Sequence, residues 1–317
     1  MKRYFIFVTI ALALAGRSDP KSTIDELRRT FVSPPDDARI TMRWWWFGSA
    51  ITRGELEREL KAMKAAGIGG VEIQPVYPLE LDDPQRSIRN LPYLSDDFLE
   101  KVRFTSELAR QLEMRVDVTL GSGWPYGGPH TPITEGAGRL RCDRINIPEN
   151  ETTMPVPAME NGEKLIAVFL ANGERRQFSS EGVQLLTQIE NGRVMLPTGS
   201  QGPHVLLFFI ASRTGQQVKR AAVGAEGFVL DHYSRSAMEH HLTSVADRLL
   251  QSFGSHPPHS VFSDSLEVFG SDWTDDLLPE FQKRRGYNLE PHLPELVTDS
   301  PESAAIRHDW GKTLTEL

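Results

Sequence analysis

The stretch His259-Ser260-Val261-Phe262-Ser263-Asp264-Ser265-Leu266-Glu267-Val268-Phe269-Gly270 decides how the rest of this chain is read. Val and Phe favour extended backbone and Gly270 releases it, so the run predicts a strand carrying a carboxylate near its C-terminal end. Regular alternation puts Val261, Ser263, Ser265 and Glu267 on one side, with Phe262, Leu266 and Val268 on the other. Glu267 then stands on the more polar face at the strand's end. In a parallel α/β barrel, the loops at that end build the active site.

Further strands of the same kind lie upstream. Arg39 to Phe47 predicts a first strand that finishes in the aromatics Trp44, Trp45, Trp46 and Phe47. Thr52-Arg53-Gly54-Glu55 is a capping box, followed by Leu56, Leu60 and Met63 at helical spacing and by Gly67 as the stop. Gly70 to Val76 is a second strand. Ser95, Asp96 and Asp97 open a helix that buries Leu99, Val102, Ala109 and Leu112, and Arg115 to Leu120 alternates as a third strand. It runs into Gly121-Ser122-Gly123-Trp124-Pro125-Tyr126-Gly127-Gly128, whose glycines let backbone approach a ligand. No helix with Lys or Ser/Thr follows at the spacing of a phosphate-binding loop.

The composition changes over residues 143–223. Leu165–Ala171, Val183–Ile189, Arg193–Leu196 and His204–Ser212 are strand-like, with no amphipathic helix between them, and Glu190-Asn191-Gly192-Arg193 suits a two-residue hairpin turn. The α/β repeat resumes with Gly227 to Tyr233 as a strand and a helix from Ser234 that buries Met238, Leu242, Val245 and Leu249. After Gly270 a helix starts near Asp276, turns Phe281 to the sheet and ends at Gly286. A last helix follows Ser300-Pro301, with Ile306, Trp310, Leu314 and Leu317 on one face. The expected fold is a partial (β/α)8 TIM-type barrel over 17–142 and 224–317, interrupted by a small antiparallel β insertion at 143–223. Five strand candidates against the eight of a closed barrel suit an open doubly wound sheet as well.

The 317 residues are 39% hydrophobic and 25% charged, an ordinary globular composition. Residues 1–16 predict a secretory signal: Lys2 and Arg3, an apolar run from Tyr4 to Leu14, and Ala13-Leu14-Ala15 as the cleavage site. The run is shorter than the roughly 20 residues of a membrane span, so an exported, periplasmic or extracellular protein without stable membrane insertion is expected. The formal net charge of −8 becomes more negative once Lys2 and Arg3 leave, which argues against nucleic acid as a partner. Cys142 is the single cysteine, so no disulfide forms within the chain.

Alternation also selects the candidate site residues. Thr41, Arg43, Glu72, Gln74, Asp117 and Thr119 share the inward face of the first three strands. A buried Arg beside carboxylates requires pairing, which predicts an Arg43-Glu72-Asp117 network unless these groups are separately solvated at strand ends. Trp45 and Trp124 suit either stacking on a ligand face or packing at the rim. Asp231-His232 ends a strand, as a structural pair or as ligands. Asp264 falls on the face opposite Glu267, so partnership between them needs a bulge. His240 and His241 are adjacent on a helix, not i,i+4, and do not form a zinc pair. No Gly-x-Ser-x-Gly elbow supports a serine nucleophile.

Six blocks in order carry a resemblance: Arg43-Trp44-Trp45-Trp46; Ala65-Ala66-Gly67-Ile68-Gly69-Gly70-Val71; Gly121-Ser122-Gly123-Trp124 with Gly127-Gly128-Pro129; Glu226-Gly227-Phe228-Val229-Leu230-Asp231-His232; Asp264-Ser265-Leu266-Glu267-Val268 with Trp273-Thr274; and Phe281 through Arg284-Arg285-Gly286-Tyr287 to Leu293-Pro294. From about residue 40 onward the chain resembles glycoside hydrolase family 106, the α-L-rhamnosidases of the clan related to the family 2 glycosidases. The resemblance implies a large exported protein, with a (β/α)8 barrel followed by β-sandwich domains, of which this chain is about the first third. It implies calcium-assisted hydrolysis of terminal α-L-rhamnosyl residues with inversion. Glu267 matches the general acid, and an inverting site needs a second carboxylate about 6.5–9.5 Å away. In the family that base lies on a later strand, so it is expected beyond Leu317. Trp45, Glu72, Gln74, Trp124, Asp231, His232 and Asp264 are the expected substrate contacts. An acid role predicts a partly buried Glu267 with a pKa above about 4.3. Two other readings stay open. One is a non-catalytic exported carbohydrate-binding protein with Glu267 as a mere polar strand end; the other is a clan glycosidase for a different sugar.

Overall fold

The computed structural model describes residues 23–35, 38–179, 181–197 and 202–317; the expected signal at 1–16 lies outside them. In chain order the first elements are α1 (Ile24–Val32), β1 (Thr41–Phe47), α2 (Arg53–Ala65), β2 (Gly70–Val76), α3 (Asp96–Gln111) and β3 (Arg115–Thr119). Then come β4 (Gly138–Asn146), β5 (Lys164–Glu174), β6 (His204–Arg213), α4 (Arg235–His241), α5 (Asp247–Ser252), β7 (Ser260–Phe262), α6 (Leu277–Arg285) and α7 (Ser303–Glu316). No described helix is long and apolar enough to cross a membrane.

Strands β1, β2, β3 and β7 form a parallel sheet in that order. The expected strand-helix-strand units are present, started by the side chains that suit helix N-termini. Thr52 accepts from the Glu55 amide, and Ser95 accepts from the Phe98 amide. One face of the sheet is apolar. Trp44, Trp46, Val71, Ile73, Val116 and Val118 pack there with Leu56 and Leu60 of α2, Phe98 and Val102 of α3, and Val245, Leu249 and Phe253. Each such side chain withdrawn from water contributes roughly 1.5–3 kcal/mol. The other face carries the polar residues, and strict register sets Arg43 opposite Glu72, Glu72 opposite Asp117 and Asp117 opposite Ser260.

Between β3 and β7 in sequence, β4, β6 and β5 build an antiparallel sheet with β6 in the middle. Period-two alternation in β6 divides two cores. Val205, Leu207 and Phe209 pack with Trp273, Leu277, Phe281, Leu293 and Ile306, whereas Leu206, Phe208 and Ile210 pack with Met154, Val168, Leu170 and Val194. The predicted hairpin turn is there: Ile189–Glu190 pairs with Arg193–Met195, and Asn191 and Gly192 both have positive φ, 51° and 72°.

Three expectations are corrected. Gly227 to Tyr233 does not join the parallel sheet. Only Phe228–Val229 is strand, antiparallel to Gly127–Gly128, because the backbone amides beyond it are taken elsewhere: Leu230 by the Tyr126 carbonyl and Asp231 by that of Glu135. The neighbour of β3 is therefore β7, and the described residues supply four parallel strands rather than five. The strand predicted to run to Glu267 stops at Phe262, where its pairing with β3 ends at Thr119. Phe281 faces the antiparallel sheet, in the core with Phe169 and Phe209. The fold is mixed α/β. Among the described residues β1 and β7 each pair on one side only, so the sheet is open rather than a closed barrel.

Candidate active site

Three loops and one irregular segment meet at the C-terminal edge of the parallel sheet. The glycine loop after β3 is anchored by Ser122, whose hydroxyl donates to the Pro75 carbonyl at 3.0 Å and accepts from the Ala222 amide at 2.8 Å. Residues 216–223 run across this edge. Tyr77 donates to the Arg220 carbonyl at 3.0 Å, and Trp124 and Lys219 exchange backbone hydrogen bonds at 3.0 and 2.8 Å. That approach requires Gly123, with φ of +67°, since a Cβ there would lie 2.0 Å from the Lys219 carbonyl oxygen. Tyr126 in turn donates to the Phe262 carbonyl at 3.0 Å and ties down the end of β7.

The polar face holds the predicted charged row, with one change of partner. Arg43 pairs with Glu72 at 2.9 Å, as alternation requires. Its second partner is Asp264, at 3.2 Å, and not Asp117, which accepts from the Ser260 amide at 2.9 Å and lies 3.5 Å from His259. Burial raises the Glu72 pKa, Arg43 opposes the rise, and the charges of Asp117 and Asp264 add to it. Gln74 and Thr119 are fully buried beside this row, and neither Gln74 Oε1 nor Thr119 Oγ1 has a hydrogen-bond partner. Trp45 stacks on Phe47 and meets Trp124 edge-on at 6.1 Å, so the two candidate tryptophans do form one aromatic wall.

Glu267 lies in the loop after β7, half-exposed, with its Oε2 2.7 Å from Lys219 Nζ. The expected elevated pKa is not found. The hydrogen bond from Lys219 holds the carboxyl below its ordinary value, and the Trp124 side chain, the Lys219 charge and Ser265 add to the pull. Desolvation is too small here to win against a cation in contact. Asp264 stands with Arg43, away from Glu267, and needs no bulge because the strand has already ended.

Asp231 and His232 form a separate group, with no hydrogen bond or ion pair to Arg43, Glu72 or Glu267. Asp231 is buried; it accepts from the Tyr233 amide at 3.0 Å and lies 4.0 Å from Arg213, whose Nη2 donates to both carboxylate oxygens of Asp275. His232 is half-buried, and desolvation lowers its pKa. His241 is buried. Its Nε2 donates to the Leu120 carbonyl at 2.7 Å, since a carbonyl only accepts, and its Nδ1 therefore accepts from His130 Nε2 at 2.9 Å. Desolvation lowers the His241 pKa to about 4.

Burial raises the Asp231 pKa from 3.8 to about 6, against hydrogen bonds from Thr274 and Tyr233 and the charge of Arg213. The folded protein then keeps a proton that the unfolded chain has released, so stability falls as pH rises through this window, by roughly 3 kcal/mol. Urea unfolding between pH 4 and pH 7 should show this decline, and Asp231→Asn should flatten it. Parallel stability curves for the two proteins would refute the assignment.

Among the described residues, no group of three or more His, Cys, Asp or Glu side chains is arranged to hold a metal ion. Calcium takes six to eight oxygens, and Glu72 and Asp264 are committed to Arg43, so the residues present do not make such a cage. Sequence reasoning missed Gln216 and Lys219. The only signal for them was the end of the apolar run His204 to Arg213, which says that a strand stops and not where the chain goes next.

The profile of a family described as glycoside hydrolase 106, alpha-L-rhamnosidase, matches residues 32–163 and 181–317. A Formosa agariphila protein named "Putative beta-glucuronidase" is 22% identical over an alignment 338 residues long with its gaps, which covers 93% of this chain and 28% of that protein. The solved rhamnosidase from Novosphingobium sp. PP1Y superposes with a TM-score of 0.70 at 16% identity, over 92% of this chain and 44% of its own. This chain thus spans less than half the length of either relative.

Proposed function

This chain belongs to glycoside hydrolase family 106, the alpha-L-rhamnosidases, and from that premise we propose that it carries the general-acid side of a site that removes terminal α-L-rhamnosyl residues with inversion. The observation that supports the reading is the position of Glu267, at the C-terminal edge of a parallel sheet and beside the Trp45-Trp124 wall. On this proposal the four strands are an arc of a (β/α)8 barrel, residues 143–223 are an insertion, residues 1–16 direct export, and only the acid of the catalytic pair comes from this chain. Calcium is assigned no ligands here, and no step is routed through it.

The chain's own groups act in order. Trp45 and Trp124 offer π-faces to the apolar side of the sugar ring, which a 6-deoxy sugar presents in excess. Glu267, once protonated, gives its proton to the glycosidic oxygen as the bond to the anomeric carbon breaks, and water adds from the opposite face. The Formosa relative's name suggests a uronic acid as a second reading. A uronate would need a cation; Lys219 and Arg43 are each paired with carboxylates, and Arg220, over the Tyr77 ring on the same edge, is the group that would meet it.

Following an aryl α-L-rhamnoside by proton NMR in the intact enzyme tests the proposal. The first anomer released should be β-L-rhamnose. Initial release of the α anomer would overturn inversion, and release of glucuronate in preference to rhamnose would overturn the sugar.

A further inference from the structure

The loop that bears Glu267 has no ladder to hold it, since β7 ends five residues earlier. A side chain takes the ladder's place. Gln216 Nε2 donates to the Glu267 carbonyl at 2.6 Å, and Gln216 Oε1 accepts from the Phe269 amide at 2.8 Å. These two bonds bracket the stretch from Glu267 to Phe269 in the way a paired strand would. Gln216 is itself held, because its carbonyl accepts from the Val229 amide at 2.9 Å and its amide donates to Thr214 Oγ1 at 3.2 Å. Two residues on, Val218 is buried with Ala137 and Val229, and Val268 packs against the same cluster.

Lys219 completes the grip. Its backbone is fixed to Trp124 in both directions, its ammonium reaches Glu267 Oε2 at 2.7 Å, and the same ammonium lies 4.3 Å from the centre of the Phe269 ring. The other side chains on the carboxyl, Ser265 and Trp124, are neutral, and Asp264 is turned to Arg43. Lys219 is thus the charged group that bears on Glu267.

We propose that Gln216 and Lys219 are positioning residues for Glu267, Gln216 by fixing its backbone and Lys219 by clamping its carboxylate until a bound glycan displaces the ammonium. This rests on the reading of Glu267 as general acid. An acid must hold a proton, and an ammonium in contact favours the charged form, so the clamp has to open before protonation from solvent.

The test uses two variants of the intact enzyme. Gln216→Leu should lower kcat about 100-fold on a rhamnoside with a poor leaving group, as expected for a catalytic group displaced by an ångström, with KM little changed and much less loss on an activated aryl rhamnoside. Lys219→Met should move the alkaline limb of the kcat/KM profile to higher pH, and Lys219→Arg should restore it. Equal losses on both substrates, or an unmoved limb, would overturn the proposal. If Glu267→Gln shows no dependence on the leaving group, the acid reading itself has failed. The grip is then read separately, by amide exchange at Phe269 in Gln216→Leu and by carboxyl NMR titration of Glu267 in Lys219→Met. Unchanged exchange and an unchanged titration would sink it on its own terms.

Discussion

Replacing Glu267 with Gln in the intact enzyme is expected to cut turnover of rhamnosides with poor leaving groups by about 10²–10⁴-fold, the range general acid catalysis contributes. The amide keeps the shape of the side chain and cannot donate a proton in the transition state. An aryl rhamnoside whose phenol leaves readily needs little protonation, so it should lose far less. The contrast matters more than the size of either loss. Lys219 contacts Glu267 at 2.7 Å, and Gln would weaken that contact, so a general disturbance of the loop would slow both substrates alike. Equal losses would argue for a structural role, and no loss on either would make Glu267 a polar loop residue of a sugar-binding protein.

Trp46→Ala should destabilise the protein by about 3–5 kcal/mol, the usual cost of truncating a large buried aromatic. Trp46 is 1% exposed and meets Trp44 at 5.7 Å and Phe98 at 5.9 Å, both edge-on. It lies on the apolar side of β1, where α3 seals the sheet, and the removed indole leaves a cavity that Phe98 cannot fill without breaking its contact with Tyr93. Urea unfolding should show a lower midpoint at constant m. A change below 1 kcal/mol would mean that this layer repacks freely. Its neighbour Trp45 faces the opposite side, so Trp45→Ala should cost much less stability while removing half of the aromatic wall.

That contrast between adjacent tryptophans was legible before any coordinates, because strand alternation is a local property. The same rule put Arg43, Glu72, Gln74, Asp117 and Thr119 on one face, and the register of β1, β2 and β3 aligns Arg43, Glu72 and Asp117 in a row. Family-level blocks around Gly123, Asp231 and Glu267 were equally visible, since each is a run of a few residues. Local rules went wrong where pairing decides. Gly227 to Tyr233 looks like a strand by composition, yet only Phe228 and Val229 form a ladder, with the glycine loop, and Leu230 makes a single bridge to Gly136. Val and Phe also continue past Phe262, but a strand exists only where a neighbour supplies hydrogen bonds, and none does so beyond Thr119.

The sequence by itself thus determined the strand-helix-strand units, the polar and apolar faces of the sheet, the hairpin at Asn191-Gly192 and the family. Tertiary structure alone decided the strand order across the antiparallel segment, the choice of Asp264 over Asp117 as the second partner of Arg43, and the downward pKa shift of Glu267. The physical reason is the range of the forces involved. Alternation and turn chemistry act over two to four residues and are written in the chain, whereas a pKa depends on whatever group is brought within a few ångströms. Lys219, 48 residues away in sequence and 2.7 Å away in space, is such a group.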